Sequence, residues 1–264
     1  ADAVVVYAKA ASDGIVFFNV WNGSAWAGES SFTFNATATS DTRWMRLAAD
    51  GEQQPTGGSD KLILLVEDAN SDIFAAVWDG SAFGNLTTIT TDASVVNQRP
   101  FDGAWETTAG HAVVVYGEGT TNSTTPFKYK EFDGASTWDS TGTSVGTLTS
   151  SIGAWVEMRQ DPQSNRMAAA LEHYATGAAT VGMFSPIIWK SDGSTEGWTL
   201  GNVDTSIENP VAKVVSVAWE NSNGGIPFAM FVFSNDTGAG DLSAYQTASS
   251  SPSLGKAPFS ARIR

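Results

Sequence analysis

An all-β fold is what this sequence predicts, and three observations predict it. A turn phrase of aromatic, Asp or Asn, and Gly occurs as Trp21-Asn22-Gly23-Ser24, Trp78-Asp79-Gly80-Ser81 and Phe132-Asp133-Gly134-Ala135. A degenerate copy, Lys190-Ser191-Asp192-Gly193-Ser194, follows, and the steps between copies are about 57, 54 and 60 residues. Short β-branched or aromatic runs open each unit, at Val4 to Tyr7, Leu62 to Val66, Ala112 to Tyr116, Met167 to Leu171 and Phe228 to Phe233. No stretch of 12 residues shows a 3.6-residue apolar period free of Gly and β-branched clusters, which removes a helical reading.

Each element follows from the same pattern. The opening run leads through a turn-rich stretch (Ser12-Asp13-Gly14 in the first unit, Asp68-Ala69-Asn70-Ser71-Asp72 in the second) into an alternating strand such as Ile15-Val16-Phe17-Phe18-Asn19-Val20-Trp21. Asn-Gly and Asp-Gly then supply the positive φ that a two-residue hairpin needs, and a third strand returns over Ala25 to Phe32 and Ala82 to Ile89. A fourth strand carries Trp or Arg: Arg43-Trp44-Met45-Arg46, Arg99 to Glu106, Ala154 to Arg159, Val217-Ala218-Trp219-Glu220 and the terminal Ala261-Arg262-Ile263-Arg264. Turns at 50–60, Asp161-Pro162-Gln163-Ser164-Asn165 and Asn221 to Gly225 lead into the next unit.

Four strands per unit of this length is the blade of a β-propeller. A sandwich pair or a longer solenoid does not account for a four-strand period that ends almost where the chain ends. The expectation is one β-propeller domain over 1–264, five blades of four antiparallel strands, with approximate blades 1–50, 58–108, 110–161, 164–223 and 224–264. The fifth is shorter, with strands at Phe228 to Phe233, Ala244 to Thr247 and Ser260 to Arg264.

Composition bounds the function. With 264 residues, 42% hydrophobic, the chain has material for a full core, and a net charge of −14 repels nucleic-acid backbones and anionic lipid, so neither nucleic acid nor direct membrane insertion is expected. No cysteine is present, which removes disulfides, thiolate metal sites and cysteine nucleophiles. No apolar run approaches the length of a membrane span, and Ala1-Asp2-Ala3 opens directly into a strand, so the chain reads as a mature form. Ser and Thr are abundant and Lys scarce, a surface common among exported proteins. Five asparagines begin N-x-Ser/Thr sequons and are candidate glycosylation sites: Asn22, Asn35, Asn85, Asn122 and Asn235.

In its Trp-Asp-Gly-Ser turns, in Asp161-Pro162-Gln163-Ser164-Asn165 and in Pro100-Phe101-Asp102-Gly103-Ala104-Trp105-Glu106, the chain resembles the repeat-built β-propellers of exported and cell-surface proteins of bacteria and archaea. The resemblance implies a fold and an extracellular or cell-surface address, and it names no activity. The chain departs from WD repeats, because its Trp-Asp pairs precede Gly in a turn and no Gly-His opens a unit, and from kelch repeats, because no Gly-Gly stands ahead of paired aromatics.

The search for chemistry returns structural readings. Ser191-Asp192-Gly193-Ser194-Thr195-Glu196-Gly197-Trp198 is a blurred copy of the Asp-box of sialidase-like propellers, with the spacing of Ser, Asp and Gly altered. Glu106, Glu157 and Glu220 recur beside Trp105, Trp155 and Trp219, but a catalytic carboxylate pair needs two different environments, whereas a repeated one satisfies a repeated partner. His111 and His173 are the two histidines and read as strand-end residues, and Asp68-x-Asn70-x-Asp72 reads as a hairpin turn, since Ile73 stands where a calcium loop has Gly. No catalytic, cofactor or metal residue is therefore expected. Trp26, Phe83, Trp138 and Trp198 follow the repeated turns, where they either stack on sugars or pack between blades.

The leading expectation is a non-enzymatic, exported and N-glycosylated display or structural module, the outer domain of a surface filament or layer. Its partners would be itself or an anchoring surface protein or segment. A lectin-like propeller that binds glycans is the alternative, and a sialidase-like enzyme the second.

Overall fold

The computed structural model describes residues 3–9, 14–35, 41–49, 61–94, 97–107, 109–176, 181–191, 196–201, 204–208, 211–220, 228–234, 241–247 and 254–262. Every regular element among them is a β-strand, and the strands form five antiparallel sheets in chain order. The first sheet is β1 (Ala3–Tyr7), β2 (Ile15–Trp21) and β3 (Ser30–Thr33). The second is β4 (Thr42–Ala49), β5 (Leu62–Asp68), β6 (Ile73–Trp78) and β7 (Phe83–Thr90). The third is β8 (Phe101–Trp105), β9 (Ala112–Gly117), β10 (Phe127–Phe132) and β11 (Thr143–Ser144). The fourth is β12 (Ile152–Gln160), β13 (Met167–Tyr174), β14 (Gly182–Ser191) and β15 (Glu196–Leu200), with β16 (Asp204–Ile207) pairing on the same edge of β14 as β15. The fifth is β17 (Val215–Trp219), β18 (Ala229–Ser234), β19 (Asp241–Thr247) and β20 (Leu254–Arg262).

Each predicted apolar run lies in a strand, save Phe228 just before β18, and the reason those runs are continuous rather than alternating lies in the packing. Successive residues of a strand face opposite sides, and consecutive sheets share a core on each side. Leu64, Val66, Phe74 and Trp78 meet Val16, Phe18 and Phe34 of the first sheet. The alternate residues Ile63, Leu65, Ile73, Ala75 and Val77 meet Phe101, Trp105, Val114 and Tyr116 of the third. Val113, Val115 and Phe127 then pack on Met158, Met167, Leu171 and Trp189 of the fourth, whose opposite face, with Ala168, Ala170 and Phe184, packs on Val217, Phe231 and Phe233 of the fifth. The middle three sheets are buried on both faces, the condition in which strands lose polar alternation.

The grouping of strands corrects one expectation. The first four Arg- and Trp-bearing strands do not close the units they follow in sequence, as the boundaries 1–50, 58–108, 110–161 and 164–223 require; they open the next sheet, and the terminal one, in β20, ends the fifth. Thr42–Ala49 pairs with β5, setting Met45 opposite Val66 and Leu47 opposite Leu64, and β8 pairs with β9, Trp105 opposite Ala112. Two tight turns help decide this: Glu106 N donates to His111 O, and Asp161 N to Arg166 O, so β8–β9 and β12–β13 are hairpins. The first sheet consequently has no such opening strand, and among the described residues the outer edge of β1 carries no partner.

The repeated turns are capped by their own acid or amide. Asp79 Oδ1 accepts from the backbone N of Ser81 and Ala82 at 2.8 and 2.9 Å, and Asn22 Oδ1 accepts from Ser24 and Ala25 at 3.0 and 2.9 Å. The Thr137, Ala135 and Ser136 amides hold Asp133 down to about 2. Glycines at φ 92°, 98° and 75° (Gly23, Gly80, Gly134) complete these turns, and the β6–β7 connection spans the four residues Asp79 to Ala82 instead of two.

The opening strands are joined by one buried carboxylate. Asp102 on β8 accepts Arg46 Nε of β4 at 2.8 Å through Oδ1 and Met158 N of β12 at 3.0 Å through Oδ2, so three sheets meet at a single side chain. Trp105 Nε1 donates to Ala48 O and Trp219 Nε1 to Arg159 O, each reaching back to the preceding opening strand. The rings of Trp44 and Trp155 are 5.6 Å apart, bringing β4 and β12 together.

Two further acids are buried with little or no compensation. Burial, then repulsion from Asp68, pushes Glu67 up to about 9, and burial pushes Glu172 up to about 8, although Val214 N donates to its Oε2. Buried His173, held between Ser151 and Ser185, is pushed down to about 3. A carboxyl raised on folding contributes its stability fully below the unfolded value of about 4.3 and loses it as pH rises through the folded value. Thermal melts should therefore show Glu67→Gln gaining on the parent steadily from pH 5 to about 9 and Glu172→Gln from pH 5 to about 8; a pH-independent offset would show that neither group is held protonated.

Candidate functional site

The first sheet has one bare face. In β2 the residues Val16, Phe18 and Val20 turn inward to the second sheet. Their alternates Phe17, Asn19 and Trp21 share the opposite face with their register partners Tyr7, Val5 and Ala3 on β1. Among the described residues no hydrophobic core forms there: Val5 is 43% exposed and Trp26 53%, while Tyr7, Phe17, Asn19 and Trp21 are half-buried. In the second to fourth sheets the corresponding face is covered by the preceding sheet, so this face is what the start of the stack leaves over.

Its rings form two pairs. Tyr7 and Phe17 stack with centroids 6.1 Å apart and planes 23° apart, and Trp21 and Trp26 lie 5.5 Å apart at 56°. Trp26 is placed there by the Asn22-capped turn and by a bridge to Trp21. Between and beside the pairs lies a polar set. Tyr7 Oη is 2.8 Å from Asn19 Oδ1 and 2.5 Å from Glu29 Oε2, Lys9 Nζ is 2.6 Å from Glu29 Oε1, and Asn19 Nδ2 donates to Ala27 O at 3.0 Å. Lys9 Nζ also stands 4.2 Å from the centre of the Phe17 ring. The bonds from Lys9 and Tyr7 hold Glu29 below its ordinary range, and the bond to Glu29 raises Tyr7, so the face presents a carboxylate, an ammonium, an amide and a phenol beside apolar rings. Rings that carry a polar handle at the edge suit a ligand with one apolar and one hydroxylated aspect.

The four aromatic residues singled out in sequence part company. Trp26 lies on the open face. Phe83 is 9% exposed and packs edge-on against Phe18 and Trp78. Trp138 packs on Phe132 and donates its indole N–H to Asn85 O of the second sheet, and Trp198 packs on Trp189 and reaches Tyr129 of the third. The last three thus join each sheet to the one before. Tyr7, Phe17, Asn19, Trp21 and Glu29 were not selected from sequence, though the aromatics on both sides of the Ile15–Trp21 alternation and the position of that unit at the start of the repeat are the signal.

The remaining candidates fall elsewhere. Asn22, Asn85 and Asn122 are exposed, Asn35 is half-buried, and Asn235 lies outside the described residues. Asn85 has a φ of 48°, and Asn122 Oδ1 accepts Thr176 N at 2.9 Å. Asp68 spends Oδ1 on the amides of Asn70 and Asp72, the pattern of a turn. Glu157 is engaged by Arg159, Ser216 and Lys213, and Glu220 is exposed, so these two glutamates do not combine into a site.

No protein-family model matches the chain, and no curated protein does. Among solved structures, the SapL1 lectin in complex with α-methyl fucoside is similar to it at 16% identity and a TM-score of 0.49, over 96% of this chain and 75% of that one. At that level of likeness the functional reading rests on this chain's own surfaces.

The two kinds of aromatic position should respond differently to truncation. Trp26→Ala should change unfolding free energy in urea by less than about 1 kcal/mol, whereas Phe83→Ala should cost about 3–5 kcal/mol. Equal losses would mean that Trp26 is a packing residue.

Proposed function

We propose that this protein is an exported, non-enzymatic β-propeller that binds carbohydrate on the aromatic face of its first sheet. The observation that carries the reading is this face, with no sheet core over it among the described residues: exposed Trp26 and half-buried Tyr7, Phe17 and Trp21 from β1, β2 and the following turn, with Asn19, Glu29 and Lys9 among them. A pyranose ring has an apolar C–H aspect that stacks on indole or phenol, and equatorial hydroxyls that exchange hydrogen bonds with an amide, a carboxylate and an ammonium. The five sheets are read as five propeller-like blades in an open arc whose first and last outer faces are not paired with each other among the described residues, with β4, β8, β12 and β17 on its inner side, supported by the bonds through Asp102 and by the Trp44–Trp155 pair. The acidic, hydroxyl-rich composition and the sequons support export and N-glycosylation. A glycan on Asn85 or Asn122 leaves the aromatic face clear, while one on Asn22 stands four residues from Trp26.

A second reading, display through self-association, is favoured by the opposite end of the stack. Met230 on β18 is 47% exposed, with exposed Ala218 beside it in register on β17. Stacking this end of one copy on the first sheet of the next would extend the repeat between molecules.

A broad glycan array followed by tryptophan fluorescence titration tests the proposal. A saturable change with at least one neutral oligosaccharide, lost in Trp26→Ala, is the expected result. No binding across the array, together with concentration-dependent assembly in light scattering that Trp26→Ala reduces, would replace it with the second reading.

A further inference from the structure

One cluster takes no part in the aromatic face. Glu106 after β8, His111 before β9 and Glu131 on β10 come from the third sheet, and Glu196 begins β15 of the fourth. One ligating atom from each of His111, Glu131 and Glu196 lies within 4.8 Å of the other two. His111 Nδ1 is 2.8 Å from Glu131 Oε1 and 3.8 Å from Glu106 Oε2. Glu106 is fully buried, Trp189 Nε1 donates to its Oε1 at 2.8 Å and the nearby Ser191 hydroxyl also lowers it, yet Oε2 makes no hydrogen bond of full geometry.

A buried carboxylate oxygen without a donor is costly, and this one is turned toward the same imidazole nitrogen that Glu131 approaches. Among the described residues no lysine or arginine ion pair reaches Glu106, Glu131 or Glu196, so three carboxylates face a single imidazole. Burial raises both Glu106 and Glu131, and Glu196 raises each further, while His111 pulls both back. The group holds no lysine or arginine among the described residues, and its open side, at Glu196, is exposed.

We propose that His111 Nδ1 and the carboxylates of Glu131 and Glu196, with Glu106 Oε2 behind them, form a site for a borderline divalent transition-metal ion of the Zn²⁺ class. Ligands held at about 2.0–2.1 Å in a tetrahedron stand roughly 3.3 Å apart, inside the span between the 2.8 Å His111–Glu131 contact and the 4.8 Å limit of the cluster. One imidazole with carboxylates suits Zn²⁺ better than Ca²⁺, which takes six to eight oxygens. Because Glu196 belongs to a different sheet from the other three residues, the ion ties the third sheet to the fourth. The site is independent of the carbohydrate reading and stands whether or not that reading holds.

The test uses the full chain after chelator treatment and dialysis, titrated with ZnCl₂ by calorimetry and followed in thermal melts. About one Zn²⁺ per chain should bind, raising Tm as its concentration rises, with CaCl₂ giving no rise. His111→Gln and Glu196→Gln should each weaken binding at least about tenfold. Glu196 is exposed, so its variant keeps the fold, and circular dichroism checks both. No saturable heat up to about 1 mM, or binding that survives both substitutions undiminished, would overturn the site.

Discussion

Burial on both faces is the constraint from which the rest of this molecule follows. A sheet held between two others has no solvent side, so every position of its central strands must be apolar or internally satisfied. Leu62 to Val66, Ala112 to Tyr116 and Met167 to Leu171 meet that requirement residue by residue, with odd and even positions serving different cores. The few polar groups admitted are tied at once, as Asp102 is to Arg46 and Met158, or remain as costs, as Glu67 does with both carboxylate oxygens unpartnered. Such costs are tolerated only where the surrounding packing outweighs them.

The same constraint makes the ends of the stack different from its middle. The first sheet is apolar on its inner side for the reason all the sheets are, but its outer side carries Tyr7, Phe17, Trp21 and Trp26 with nothing described over them. Trp26, 53% exposed, lacks the hydrophobic gain that burial gives its counterpart Phe83, and Tyr7, Phe17 and Trp21 are only half-buried. An exposed patch of this kind marks a surface that meets something else. The interspersed Asn19, Glu29 and Lys9 make the face polar as well as apolar, the combination that the proposed carbohydrate ligand would match.

Much of the fold was legible because two-sided burial writes itself into composition: continuous β-branched runs, and Asp-Gly or Asn-Gly turns at a fixed step. What the repeat could not reveal was its phase. A unit that begins with the Arg/Trp strand and one that ends with it have the same period, and only the hydrogen bonds of the Glu106–His111 and Asp161–Arg166 turns separate them. The site was legible only in part. Trp26 stood out by its place after the turn, yet Phe83, Trp138 and Trp198 hold equivalent places and are packed, since a ring's exposure depends on whether a preceding sheet exists. His111 and Glu106 read as ordinary strand-end and repeat residues because their closeness to Glu131 and Glu196 is a matter of two sheets meeting, which no local pattern records.

The most direct measurement is nuclear magnetic resonance of the indole N–H signals of the 10 tryptophans, assigned by single substitution and followed as a bound oligosaccharide is added. Shifts confined to Trp21 and Trp26, with Trp105, Trp189 and Trp198 unmoved, are what the account predicts. Shifts at Trp189 and Trp198 with Trp21 and Trp26 silent would place the ligand between the third and fourth sheets and contradict it.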